Sequence, residues 1–582
     1  MGLALIDWVI IGLYLALSLG IGLHFSRRAG KDVGEYFLSG RNLPWWLLGT
    51  SMVATTFGAD TPLAVTEYVR TDGIWRNWFW WNAALGGLLS VFLFSRLWVR
   101  ARVLTDNELI ELRYSGRPAA ILRAFKAGYF ATVYNFIVMG WVTQAMATVL
   151  HVTLGIPREM QWLSISICGV IALVYTVLSG LWGVVATDLF QFVLAMVGSI
   201  ILALFSLEQV GGVAELKVKV AQMGGSTLFF FPPMETHVLD GGPPVADAIP
   251  FWDTPFFTFM VFLLIMWWAT HHADGGGYII QRMLAAKSEG HSLLGTLWFN
   301  LAHHAIRPWP WIIVALVSMV TLPEYKGKEA YPAAINAFLP PGLRGLLVAS
   351  FLAAFMSTIT THINWGSSYF INDIYRRFLV KSSSERHYVF VSRVTGVVLM
   401  AVAGVVASRM DSISTAWEFL APMAAGIGLV LILRWFWWRI NAWSEISALL
   451  ASLIINFLLV ALGVKVQHRF VLLVPLSIIV WVTVTLLTRP EPKEKLVEFY
   501  KRVRPGGFWR PIQEELPGLE KGMLGWGFLV EWLSGVALIY GATFGIGKLI
   551  FQEYGQGLIL LGIATLGAMV ISYKLAVREG LR

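Results

Sequence analysis

Charge is scarce in this chain. Only 14% of its 582 residues are Asp, Glu, Lys or Arg, while 57% are hydrophobic and the mean hydropathy is +0.66. A soluble protein of this length carries far more charge, so the composition points to a polytopic membrane protein. Cysteine is almost missing: Cys168 stands alone in an apolar stretch. That excludes a disulfide framework and a cysteine-based metal site. No nucleotide loop, metal-ligand spacing or nucleophile–base spacing argues for an enzyme, and no low-complexity tract occurs. The N-terminus lacks a basic region before its apolar run, and Ile6 to Leu23 leads into Arg27 and Arg28 rather than a small-residue cleavage site. It therefore reads as a first span and not a cleaved signal. The net charge of +9 resides in short loops, where it sets topology and gives no nucleic-acid signature.

What is abundant is apolar length. Fifteen stretches approach the 20 residues of one crossing: 5–25, 45–68, 74–98, 125–152, 160–180, 184–206, 252–275, 291–321, 343–370, 388–409, 413–437, 442–463, 469–488, 526–549 and 555–575. The expectation is an all-α integral membrane protein of about 15 transmembrane helices. Basic residues cluster in alternate loops: Arg27, Arg28, Lys31 and Arg41; Arg96 to Lys126; Lys493 to Arg510. The positive-inside rule then puts the N-terminus outside and the C-terminus, with Arg578 and Arg582, in the cytoplasm of a bacterial inner or plasma membrane. The loop 207–251, with its Gly-Gly, Pro-Pro and Phe-Phe-Phe runs, reads as packed on the outer face, or else as a linker. KEKLVEFYKRVR, in the loop 489–525, reads either as a helix on the anionic leaflet or as a solvated one. The tail after residue 575 leaves little room for a signalling domain.

One stretch turns polar where lipid forbids it. Within Phe351–Tyr375, the residues Ser357, Thr358, Thr360, Thr361, His362, Asn364, Ser367 and Ser368 crowd into about three turns. Unpaired polar groups in hydrocarbon cost several kcal/mol each, so this helix faces protein or a wet path. Ala354, Ser357 and Thr358 share one face at i, i+3 and i+4. Neutral oxygens on such a face suit a hard monovalent cation, although small residues also simply let helices pack. Two other spans look broken. Gly58, Asp60 and Pro62 interrupt MVATTFGADTPLAV, with Gly49 shortly before it, and Asp274-Gly275-Gly276-Gly277 interrupts the seventh span. Paired interruptions five spans apart are the pointer to an inverted-repeat transporter with its solute near the midplane.

Four segments in order carry a family resemblance: YFLSGRNLPWWLLGTSMVAT, SGLWGVVATDLFQ (179–191), YIIQRMLAAKS (278–288) and LAAFMSTITT followed by DIYRR. Together they resemble the sodium:solute symporter family. The resemblance implies a LeuT-like 5+5 inverted-repeat core over 45–440, an extra helix and link in 1–44, and extra helices in 441–582. It implies a sodium site from backbone oxygens of Ala54, Phe57 and Ala354 with the hydroxyls of Ser357 and Thr358. Asp188 would serve a second sodium site or the ion's exit, with Thr360 and Thr361 supplying oxygens, or would merely cap a helix. The chain departs from the family at Thr56, where several members are acidic, and at HHADGGG in span seven, where the sugar-binding pattern is absent.

Ionisable and polar groups inside spans are candidates to read the solute. They are Thr55, Thr56, Asp60, Thr61, Asn82, His271, His272, Asp274, His303, His304 and Arg307. Arg307 is expected either to pair with Asp60 or Asp274, or to meet a solute carboxylate. His271, His272 and Asp274 make a poor metal site, since adjacent helical residues diverge by about 100°. The aromatic band Trp75 to Trp81 reads more readily as an interface belt than as a sugar platform. The resulting expectation is a sodium-coupled symporter of a small polar solute (sugar, amino acid or carboxylate) in a lipid bilayer, with sodium as its coupling ion. No organic cofactor, further metal or nucleic acid is expected, and the sequence leaves the oligomeric state open. Proton coupling through Asp60 or the histidines, and a transporter-derived sensor, are the alternatives.

Overall fold

The computed structural model describes residues 3–29, 32–224, 226–233, 250–410, 412–423, 425–519, 522 and 525–578. Lys31, Arg582 and residues 234–249 of the long loop, on which some of the expectations fall, lie outside these. Every one of the fifteen apolar stretches falls on helix. This is what lipid dictates, because a helix satisfies its own amides and carbonyls where no water can. Among the described residues, ten helices are long and apolar enough to cross a membrane, or eleven if the bent pair Ile413–Met423 and Gly428–Phe436 is one span. The other stretches fail the length test because they are broken or short. Residues 45–68 divide into Trp45–Thr55 and Asp60–Asp72, and 252–275 carries only the short apolar helix Pro255–Ala269.

The helical run Gln161–Val210 contains two of the expected stretches. At 1.5 Å per residue, Thr187 would stand about 18 Å beyond Tyr175 on one straight helix. Yet the Tyr175 hydroxyl bonds the Thr187 hydroxyl and donates to the Gly183 carbonyl at 2.8 Å. The chain therefore doubles back between them.

The polar helix Leu343–Ser368 runs through the centre. In its apolar stretch 94% of residues are buried, against 17% in the peripheral helix Tyr554–Val577. It packs on Leu5–Ala29, Trp45–Thr55, Asn135–Leu154 and the Gln161–Val210 hairpin. Its N-terminus is tied to the first helix by one carboxylate. Asp7, fully buried, accepts from the backbone N–H groups of Gly342 and Gly345, both at 2.7 Å, through one oxygen. An anion is well placed there, since the first amides of a helix have no partner within it.

Two readings change. Leu496, Phe499, Tyr500 and Val503 of the helix Lys493–Val503 are buried against Trp435 and Trp509. Arg113 lies over Phe499 and Trp509, at 5.3 and 4.8 Å from the ring centroids. The apolar face of this helix is therefore turned to protein and not to a leaflet, because a ring-rich shelf competes for it. The aromatic band is likewise no lipid belt: Trp75, Trp78 and Trp81 are buried. The Trp78 indole donates to the Phe230 carbonyl at 2.9 Å, and Phe230 itself is buried. The described part of the long loop thus packs onto the protein.

Replacing Asp7 with Ala is expected to lower stability by about 2 kcal/mol, since it strands two buried amides at once. Asp7→Asn, which keeps one acceptor, should fall between. Thermal unfolding followed by tryptophan fluorescence checks both, and an unchanged midpoint for Asp7→Ala would refute the tie.

Candidate functional site

Both interruptions are real breaks. The first helix ends at Thr55 and the next begins at Asp60. The second break lies between Trp267–Ala269 and Gly277–Leu284, so the seventh span extends past the expected limit of 275. Gly275, Gly276 and Gly277 all have positive φ, at 124°, 71° and 35°. A Cβ on Gly276 would stand 2.1 Å from His272 Nδ1, and one on Gly277 would stand 2.6 Å from the Trp365 ring. Only glycine fits this turn.

The central helix crosses the first break. Thr358 Oγ1 donates to the freed carbonyl of Thr55 at 2.7 Å and to Ala354 O at 3.1 Å. Ala54 O is taken by the Phe57 N–H at 3.0 Å. Ser357 donates to Asp188 Oδ1 at 2.6 Å, and Ser51 donates to Asp188 Oδ2 at 2.5 Å. Thr55 and Thr361 hydroxyls meet at 3.0 Å, and Arg282 donates to both, at 3.2 and 2.6 Å. Arg282 Nε also reaches Ser51 at 3.4 Å, so a serine stands between the guanidinium and Asp188. Asp188, Ser357 and Thr361 thus share one cluster. Thr360 does not join it, because its hydroxyl donates to Met356 O at 2.7 Å on its own helix.

Between the two breaks lies a cavity of about 280 Å³, lined among others by Thr55, Thr56, Asp60, Thr61, His272, His303, Arg307 and Thr358. It shares Thr56, Trp80, Tyr134, His272 and His303 with the lining of a second cavity of about 320 Å³, which takes in Asn82, His271 and His304. Asn82 spends its amide on the carbonyls of Trp78 and Phe79, at 2.9 and 2.7 Å. Trp80, Tyr134, Trp141, Tyr278 and Trp417 form aromatic walls.

The expected pairing of Arg307 is corrected. Asp274 lines neither cavity; it accepts from Arg434 at 2.6 Å and from the Trp435 indole at 3.1 Å. Arg434 also meets Glu445, which Lys126 and Tyr114 share. Asp274 is therefore spent in a structural charge network. No ion pair joins Arg307 to Asp60 among the described residues. Arg307 instead donates to Thr56 Oγ1 at 3.2 Å and to Val53 O at 3.4 Å, and its Nη2 lies 3.1 Å from His303 Nε2. The other His303 nitrogen lies 2.9 Å from Thr56 Oγ1. With Nε2 accepting from the guanidinium, the consistent tautomer carries its proton on Nδ1. This placement comes from a π-helical turn, Ala302–Ile306, closed by Arg307 N–H to Ala302 O at 3.2 Å.

Sequence reasoning missed Arg282, although it stands in the segment YIIQRMLAAKS; an ionisable residue inside a span was signal enough. It also missed Tyr134, Trp141, Tyr278 and Trp417, for which no pattern in the chain is a pointer.

A family profile described as the sodium:solute symporter family matches residues 36–454. A sodium/glucose cotransporter of Vibrio parahaemolyticus is 25% identical over 522 residues, covering 84% of this chain and 93% of its own. A sodium/mannose cotransporter of Bos taurus is 27% identical over 491 residues, 78% of each chain. Among solved structures, the substrate-bound outward-open state of a Na+-coupled sialic acid symporter superposes with a TM-score of 0.68 at 20% identity, over 84% of this chain and 99% of the other.

Removing Arg282 should leave the Asp188 carboxylate buried without a cation nearby. Arg282→Gln is expected to cost about 3 kcal/mol of stability, and adding Asp188→Asn should recover part of the loss. Melting curves of the single and double variants check this, and additive losses would refute the coupling.

Proposed function

The chain belongs to the sodium:solute symporter family, and on that premise we propose that it couples inward movement of a small polar organic solute to sodium. The family and these relatives are transporters rather than enzymes. The observation that carries the reading is the Thr358 hydroxyl on the Thr55 carbonyl at 2.7 Å, across the broken first half-helix and beside the cavity. Neutral oxygens converge there from two elements that can separate. In this reading residues 45–440 form the ten-helix inverted-repeat core of a fifteen-span protein. Residues 1–44 and 441–582 flank it, the N-terminus lies outside, and the C-terminus is cytoplasmic.

The sodium site is proposed to draw on Ser357, Thr358 and the backbone oxygens of Ala54, Phe57 and Ala354, with the Thr55 carbonyl close by. Sodium bound there holds the broken span against the central helix and so favours the outward-open form. The solute then settles between the breaks, and the core rocks inward. Asp188, with Thr361 in its cluster, serves the ion's exit or a second site, to which Thr360 contributes only on releasing Met356 O. Coupling arises because sodium binds the solute-competent state better than the other state; equal binding would couple nothing. The names of the relatives keep sugars among the solutes considered, beside amino acids and carboxylates.

Ser357→Ala and Thr358→Ala are each expected to raise the sodium concentration for half-maximal uptake by about tenfold, the equivalent of one lost ligand worth about 1.4 kcal/mol. Uptake into proteoliposomes across a sodium series measures it. Unchanged sodium dependence in both variants would sink the site, and uptake driven by pH alone would replace sodium with protons.

A further inference from the structure

Arg307 is only 1% exposed, lines the cavity between the breaks, and has only neutral hydrogen-bond partners among the described residues. Its donors reach a threonine hydroxyl, a backbone carbonyl and an imidazole, and its Nε has no partner among those residues. Two other buried guanidiniums meet carboxylates, and a third, like Arg307, meets only neutral acceptors among the described residues but lines neither cavity. Arg434 meets Asp274 and Glu445, Arg123 meets Glu111 and Asp373, and Arg113 donates to three backbone carbonyls. A buried cation with no carboxylate in contact is costly, so a protein that keeps one beside a cavity has a use for it. Asp60 lines the same cavity and is nearly as inaccessible at 5% exposure, yet the two charges are held apart and not paired. The Trp417 indole stands on that same wall, beside Asp60. Space, a cation and an anion therefore converge on one volume.

Resting on the symporter reading, we propose that the transported solute is a small carboxylate bearing a hydroxyl or ammonium donor. Its carboxylate takes the Arg307 guanidinium, and its donor meets Asp60. The planar guanidinium presents parallel N–H groups to a carboxylate, a match that a hydroxyl cannot make. His303 supports it, since its Nε2 accepts from Nη2 and keeps the fork turned to the cavity. Trp80, Tyr134, Trp141 and Trp417 give the carbon skeleton flat apolar faces. A neutral hexose would leave Arg307 unpaired, and the solute thereby differs from the glucose and mannose in the names of two of the relatives.

The test uses the purified full-length protein in sodium. Hexuronates, aldonates and amino acids are each compared with their methyl ester or amide, with glucose as the neutral sugar. Thermal shift and calorimetric titration are the readouts. At least one acid should bind about tenfold or more tighter than its ester or amide, a ratio set by one lost charge-assisted contact. Arg307→Gln should abolish that preference. A sugar acid that binds assigns the hydroxyl to Asp60; an amino acid assigns the ammonium. Glucose or an ester binding as tightly as the acid overturns the proposal, as does undiminished acid binding by Arg307→Gln or a panel in which no acid binds. If the variant does not fold, the acid-to-ester ratio on the unmodified protein decides. A protein that ignores sodium with every solute loses the symporter reading itself, whereas sodium-dependent glucose binding loses only the carboxylate.

Discussion

A helix in a bilayer can be interrupted only where something else takes up the amides and carbonyls that the interruption frees. This constraint organises the molecule. The carbonyl of Thr55, released where the helix Trp45–Thr55 ends, is met by the Thr358 hydroxyl. The hydroxyls of Thr55 and Thr361 are met in turn by Arg282, which rises from the helix after the second break. The two breaks are thus joined through one guanidinium and one polar helix. The hydroxyl-rich face of Leu343–Ser368 serves them and is buried in protein throughout.

The same economy sorts the buried charges. Asp274, Arg434, Glu445 and Lys126 neutralise one another behind the second break, and Arg123, Glu111 and Asp373 do so nearby. These pairs fix register between helices and have little room to do more. Arg282 and Asp188 stand one serine apart, close enough to compensate each other and loose enough to be parted. Arg307 and Asp60 are the looser pair again, with a cavity between them. The gradation from locked to bridged to separated runs from the helix scaffold to the hydroxyl cluster beside Asp188 to the cavity between the breaks.

Much of this was legible in the chain. Apolar length and the hydroxyl crowd pointed to the helices and the polar face, because lipid restricts what such runs can form. Glycine placement marked both breaks, since residues 275–277 adopt backbone angles that side-chain-bearing residues resist. Partner choice was not legible. Asp274 and Asp60 look alike in sequence, and only the fold brings Arg434 to one and leaves the other open to a cavity. The basic amphipathic helix Lys493–Val503 misled for a related reason: an apolar face states that it will be covered and is silent about whether lipid or protein covers it. Trp417 and Tyr134 come to the cavity from distant spans, and nothing local to either announces it.

The π-helical turn Ala302–Ile306 has an implication for how such a protein can diverge. A π-turn is a helix carrying one surplus residue. Losing a single residue there would restore a regular helix while leaving the segment beyond it on the same face, because the wider turn absorbs the extra residue locally. Such a change would alter which side chains of the turn, His303 among them, face the cavity, while Arg307 keeps its place. Chemical preference in this architecture is thus open to revision by a change in chain length as well as by exchange of side chains, and an alignment gap at this turn is as informative as a substitution.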